Sequence, residues 1–181
     1  MIYTFIPYAP DKTHDLGSTY NHYMTLIKED DWACFVDHDA MFTTSSWYEQ
    51  LEDIVSSTKY GLLTTITNRI LHSYQQVPGI SRYKRNHDIQ LHRQIGKMRQ
   101  EKYGNQIQES PGAIGGVVLL IRKKVWQEVG GFRIHKLYTV DKDFCGRILK
   151  NGYKIGIMLG VYIYHWRRAA LNDSYSLEKL Q

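Results

Sequence analysis

Short apolar runs alternate with stretches of helical period along most of this chain. That alternation restricts the fold more than any other feature. Ile2 to Ile6 reads as a strand stopped by Pro7 and Pro10. Leu16, Tyr20, Tyr23, Met24 and Ile27 then recur at helical spacing behind Asp15, a capping residue. Trp32 to Val36 is a second apolar run. Ser46, with Glu49 three residues on, opens a helix over "SSWYEQLEDIVSS" in a capping-box pattern. "YGLLTTIT" predicts a third strand. "GGVVLLIRK" predicts another, followed by the short helix "KKVWQEV" and a Gly130-Gly131 break. "VDKDFCGRILKNG" is a helix that begins with acids and stops at Asn151-Gly152, as its dipole prefers. "YKIGIML" and "VYIYHW" read as two closing strands. Strands alternating with helices imply an α/β sandwich with a mostly parallel central sheet flanked by helices. A length of 181 residues suits one domain.

Residues 68–111 break the pattern. They are polar and rich in Arg, Lys, His and Gln, and read as an elaboration over one side of the core. A helix is expected near 87–103, with Leu91, Ile95 and Met98 on one face. Tyr74, Tyr83 and Tyr103 are interleaved with Arg82, Lys84, Arg85, Arg93, Lys97 and Arg99. That mixture suits a nucleic acid or a polyanionic glycan, and equally a solvated helical face or a subunit contact. The tail from Arg167 is polar. The net charge of +5 favours anionic partners without identifying one. Only Cys34 and Cys145 are present, in no metal-type spacing, so a reducing, cytoplasmic setting is the expectation. The first residues lack the basic and apolar regions of a signal peptide, and no apolar stretch approaches a membrane span.

The apolar run 32–36 ends in Asp37-His38-Asp39. In parallel sheets, ligands bind beyond the carboxyl ends of strands. Two carboxylates there are costly unless a cation or solvent compensates them. A solvated turn is one reading. The other is a pair of oxygen ligands for Mg²⁺ or Mn²⁺, shared with a substrate phosphate. Asp141 and Asp143 open a helix, where they either offset its dipole or supply a general base. His165 closes the last apolar run, as a packed residue or as a third metal ligand.

Taken in order, "FIPYAP", "DLGSTYNHYM", "WACFVDHDAMF", "GAIGGVVLLIRKKVWQEVGGF" and "VDKDFCGRILKNGYKIGIMLGVYIYHW" resemble the glycosyltransferases of family 2, which have the GT-A fold. The likeness covers most of the chain outside 68–111. It is to a minimal version, because little chain separates the first strand from the helix before the Asp-x-Asp sequence. The resemblance implies that Asp39 binds Mn²⁺ or Mg²⁺ directly. Asp37 would bind the ribose or reach the metal through water, and His165 would complete the set. It further implies that Pro7, Tyr8 and Ala9 line the base pocket, with Asn21 on the helix of the nucleotide half. Gly115 and Gly116 would let the donor sugar approach, and Arg167 and Arg168 would reach the diphosphate. Where the family's acidic helix begins Glu-Asp, this chain has Val140-Asp141. Asp141 is therefore the first choice for the base and Asp143 the reserve.

The implied reaction moves a sugar from a nucleoside-diphosphate sugar, with UDP expected, to an acceptor hydroxyl with inversion. A retaining outcome stays open. The acceptor is a glycan or, as the minority reading, modified nucleic acid. A homodimer would cover apolar sheet left bare by the short first half. Two rivals remain. One is a nucleotidyltransferase, although "FIPYAPDKTHD" lacks the Gly-rich basic loop such enzymes usually carry. The other is a non-catalytic sugar- or nucleic-acid-binding module.

Overall fold

Strand β2 (Trp32–Val36) is buried along its whole length, and the two sides of its pleat explain why. Ala33 and Phe35 face one apolar layer, and Trp32, Cys34 and Val36 face another. A strand covered on both faces reads as an unbroken apolar run. The computed structural model describes residues 1–7, 15–79, 87–134 and 139–166. Seven strands among them form one sheet. The others are β1 (Ile2–Phe5), β3 (Ala40–Phe42), β4 (Leu62–Thr67), β5 (Ile107–Glu109), β6 (Val118–Arg122) and β7 (Ile155–His165). Their order is β1-β2-β6-β4-β7-β3, with β5 also on β7.

The α/β class is as the alternation predicts, and the sheet is parallel in its main strands. β1 pairs parallel with β2, and β4 parallel with β7. β6 lies antiparallel between β2 and β4, so β1, β2, β4 and β7 all point one way. Their carboxyl ends share one rim of the sheet. β3 and β5 run antiparallel to β7. The two closing strands expected from sequence are one continuous strand. Its register against β4 shifts between Thr65 and Ile66, where pairing passes from Met158 to Tyr162. Leu159, Gly160 and Val161 form the irregularity. Gly160 fits there because a Cβ would lie 2.0 Å from the Gly104 carbonyl oxygen.

One face carries α1 (Leu16–Thr25), α4 (Lys123–Glu128) and α5 (Val140–Lys150). Tyr20, Met24, Val125, Phe144 and Ile148 pack there against Phe35, Leu62 and Leu119. On the other, Leu51 and Ile54 of α2 (Trp47–Ser57) pack against Cys34, Leu63, Leu120 and Ile163. Asp15 caps α1 as expected, its carboxylate accepting from Ser18 N at 2.9 Å. The capping box of α2 does not form. Ser46 makes no side-chain cap bond, and its Oγ accepts from Gln100 Nε2 at 2.9 Å instead.

The helix of the polar segment is α3 (Ile89–Tyr103), close to its expected bounds, and it lies against β7. Its buried positions are His92 and Gly96, with Ile95 packed beside them; Leu91 and Met98 are exposed. Apolarity misled here because the docking surface is polar. His92 Nδ1 lies 2.7 Å from the Tyr162 hydroxyl, and Arg99 Nε donates to the Leu159 carbonyl at 2.9 Å.

α1 lies close against the 130–134 turn because Gly17 has no side chain. A Cβ there would stand 1.9 Å from the carbonyl oxygen of Arg133. Backbone cannot give way as a side-chain tip can. Gly17→Ala is therefore expected to destabilise the fold by about 1–3 kcal/mol, the usual range for overpacking. Thermal unfolding should show a midpoint lowered by several degrees. An unchanged midpoint would mean that α1 and the 130–134 turn separate freely.

Candidate metal centre and adjoining cavity

The centre forms where β2 stops. Asp37 N donates to the Val117 carbonyl at 3.0 Å, a last link to the neighbouring chain. Ala40 N then donates to the Asp37 carbonyl at 3.0 Å, closing a tight turn over 37–40. The turn throws the chain into β3, which runs back along β7 with Ala40 opposite His165. Trp166 N donates to the Asp39 carbonyl at 2.9 Å. Two acids at the end of one strand and a histidine at the end of another thus meet at one point. His165 Nε2 lies 3.4 Å from Asp39 Oδ1 and 4.0 Å from Asp37 Oδ2. One ligand atom from each of the three residues falls within 4.8 Å of the others.

His165 is buried and held on both sides. β4 ends at Thr67, and the side-chain amide of Asn68 continues its ladder. Asn68 Oδ1 accepts from His165 N at 2.8 Å, and Asn68 Nδ2 donates to the His165 carbonyl at 3.1 Å. The ring's Nδ1 donates to the Arg69 carbonyl at 2.7 Å. A carbonyl oxygen only accepts, so a neutral ring carries its lone pair on Nε2, toward the acids. This is the arrangement of a metal-binding histidine oriented by its other nitrogen. Two carboxylates and one such imidazole fit a hard to borderline divalent cation, Mn²⁺ or Mg²⁺.

Burial pushes the Asp37 carboxyl up to about 7. His165 opposes the shift, and the charges of Asp39 and Asp141 add to it. Asp141 enters this account because it faces the same cavity. That cavity, of about 230 Å³, is lined by Asp37 and Asp141 together with Tyr20, Gly115, Gly116 and Thr139. Asp141 Oδ2 accepts from Gly116 N at 3.0 Å, and Oδ1 accepts from Lys142 N at 2.8 Å. Backbone donors therefore aim the carboxylate, while each oxygen keeps a further lone pair. Burial also raises the Tyr20 hydroxyl, with Asp37 and Asp141 contributing.

Other anticipated residues lie elsewhere or serve the fold. Asp143 is turned to the arginines: Arg147 lies at 2.9 Å and Arg133 at 3.2 Å. A carboxylate so paired is a poor reserve base. Asn21 is committed too. Its Oδ1 accepts from Trp126 Nε1 at 2.9 Å and Phe132 N at 2.8 Å, and its Nδ2 donates to the Phe132 carbonyl at 2.8 Å. It fastens the Gly130-Gly131-Phe132 turn to α1 and does not line the cavity of Asp37. Gly115 lines the cavity, but its lack of a side chain answers to packing, since a Cβ would lie 2.5 Å from Ile70 Cδ1. Gly116 is more open, with the nearest atom to a Cβ being Asp141 Cβ at 3.5 Å. Pro7 lies two residues past the end of β1, whose last pair is Phe5 with Phe35, and is not among the residues lining the cavity of Asp37. Tyr8, Ala9, Arg167 and Arg168 lie outside the described residues, as do Arg82, Tyr83, Lys84 and Arg85.

Sequence reading missed Asn68 and Arg69, whose parts depend on where β4 stops. It also missed Thr139, the N-cap of α5 and a cavity-lining residue with φ of 69°. A β-branched residue in that left-handed region is strained, at a cost of about 1–3 kcal/mol. No protein-family model matches the chain, and no curated protein matches it.

The Asp37 shift has a definite sign. Its ordinary carboxyl titrates at 3.8. Between that pH and about 7 the folded chain holds the proton and the unfolded chain has released it. Stability therefore falls as pH rises through this window and levels off above it. In EDTA, Asp37→Asn is expected to melt above wild type at about pH 8, with the gap closing toward pH 5. A variant less stable than wild type at about pH 8 would show that the carboxylate is held by contacts that favour its charged form.

Proposed function

We propose that this chain is a metal-dependent glycosyltransferase of GT-A type, moving a sugar from a nucleoside-diphosphate sugar, with UDP as nucleotide, to an acceptor hydroxyl. One observation carries the reading. Asp37, Asp39 and His165 converge at the carboxyl rim of the sheet, and Asp141 faces Asp37 across a shared cavity. Four strands pointing one way with an antiparallel strand interposed suit the GT-A reading. A binding module needs no isolated carboxylate opposite its metal ligands.

Each residue then has a task. Asp37, Asp39 and His165 would hold Mn²⁺ or Mg²⁺. A divalent cation bound there supplies Lewis-acid neutralisation of the diphosphate leaving group. Asp141 takes the proton from the acceptor hydroxyl as that oxygen attacks the anomeric carbon and the bond to the diphosphate breaks. Attack from the face opposite the leaving group inverts the configuration. The bonds from Gly116 N and Lys142 N fix the carboxylate and spare it reorganisation during proton transfer. Tyr20 and Thr139 wall the cavity around it.

Loss of a general base costs on the order of 10²- to 10⁴-fold. Asp141→Asn should lower transfer by that factor and leave the affinity for Mn²⁺ and nucleoside diphosphate within about twofold. Turnover assays beside calorimetry will show it. Near-wild-type turnover would remove Asp141 from the role. Product analysis separates the rival chemistry: free nucleoside diphosphate marks sugar transfer, and pyrophosphate marks nucleotidyl transfer.

A further inference from the structure

β3 leads from the metal turn to a second, larger cleft that the proposed reaction does not use. Its volume is about 600 Å³, and Phe42, Thr44, Ser45, Arg93, Lys97 and Gln100 are among its lining. That size is ordinary for a small-molecule site. Among the described residues, its lining contains no carboxylate. Arg93 and Lys97 are one helical turn apart on α3 and therefore share a face. The Arg93 guanidinium and the hydroxyls of Thr44 and Ser45 make no hydrogen bond or ion pair with any described residue. Lys97 has only a long, exposed contact with Glu101 at 3.8 Å.

The close approach of α3 is built into the sequence. A Cβ on Gly96 would stand 2.1 Å from Thr43 Oγ1, which itself donates to the Tyr162 carbonyl at 3.0 Å. Glycine inside a helix is less stable than alanine. Here it lets the cationic face of α3 lie against the hydroxyl-rich turn 43–45. The result is a cleft lined by two cationic side chains and several hydroxyls, with no carboxylate in its lining.

We infer that this cleft binds a phosphoryl group carried by a sugar. Arginine offers a planar fork to phosphate oxygens, lysine a point charge, and the hydroxyls complete the shell. The chemistry favours a discrete phosphoryl group over single-stranded nucleic acid. Nucleic acid needs an aromatic face for its bases. The one aromatic ring in the lining, Phe42, is stacked on Trp47 at 4.1 Å and 4° between planes. Resting on the glycosyltransferase reading, the phosphorylated sugar belongs to the acceptor. Thr43 and Thr44 follow Asp39 by roughly 15 Å of extended chain, a span that a short oligosaccharide bridges.

The test is an NMR titration of nitrogen-labelled protein in EDTA, with glucose 6-phosphate, with glucose, and with a single-stranded oligonucleotide. The sugar phosphate should cause saturable shifts at the Thr44 and Ser45 amides and at Arg93 Nε, and glucose should not. The exposed double variant Arg93→Gln/Lys97→Gln should weaken that binding about tenfold or more. Asp39→Ala should leave it unchanged, which keeps the cleft separate from the metal centre. Absence of saturable shifts would overturn the inference, as would equal binding by the double variant. Tighter oligonucleotide binding through the same two residues would reassign the cleft to nucleic acid. If the wild type transfers no sugar from nucleotide sugars to acceptor hydroxyls yet binds the sugar phosphate here, the glycosyltransferase reading falls and the phosphoryl site stands.

Discussion

The antiparallel pairing of β3 with β7 decides whether the two acids at the end of β2 meet the histidine at the end of β7. Asp37 and Asp39 belong to the end of β2, and His165 to the end of a strand three positions away across the sheet. Nothing in β2 itself brings them together. The turn at 37–40 redirects the chain to the far edge, where Ala40 comes opposite His165 and Trp166 N donates to the Asp39 carbonyl. A slip of one residue in this register would turn His165 to the other side of the sheet. Asn68, just past β4, holds the other side of β7 by bonding both the N–H and the carbonyl of His165.

That geometry sets up an electrostatic conflict. Asp37 lies beside Asp39 and shares a cavity with Asp141, and burial, with the charges of those two acids adding to it, pushes its carboxyl up to about 7. A fold gains nothing from gathering three acids at one rim. On the proposed reading, a cation held by Asp37, Asp39 and His165 would relieve the conflict. On the same reading the acids divide their tasks: the two beside the imidazole would bind the cation, and Asp141, across the cavity, would accept a proton. Asp143, two residues further along α5, escapes the conflict by pairing with Arg133 and Arg147.

The sequence made the framework legible where apolar runs and caps are strong. β2, β4 and β6 were visible because both faces of each are buried, and α1 because Asp15 marks its start. β3 and β5 were not, since strands of three residues carry too little periodicity to register. The irregular course of β7 was read as a break because Gly160 interrupts an otherwise apolar stretch. The docking face of α3 escapes hydrophobic patterning for a related reason: His92 meets Tyr162 and Tyr164, Gly96 meets Thr43, and Arg99 bonds the Leu159 carbonyl. At the candidate site, the chemistry-bearing residues were legible by type, as acids and a histidine at strand ends. Their supporting partners were not. Asn68 and Arg69 look like any polar loop until the end of β4 is located, and Asn21 resembles a ligand contact until its amide is found holding the Phe132 turn.

Paramagnetic resonance of bound Mn²⁺ tests the central claim most directly. The centre should bind one equivalent of Mn²⁺ in wild-type protein and show hyperfine coupling from a single imidazole nitrogen. His165→Gln should abolish that coupling and weaken binding about tenfold or more, in the range that loss of a metal's supporting groups produces. Coupling that survives in His165→Gln, or an absence of stoichiometric Mn²⁺ binding at neutral pH and above, would contradict a cation held by Asp37, Asp39 and His165.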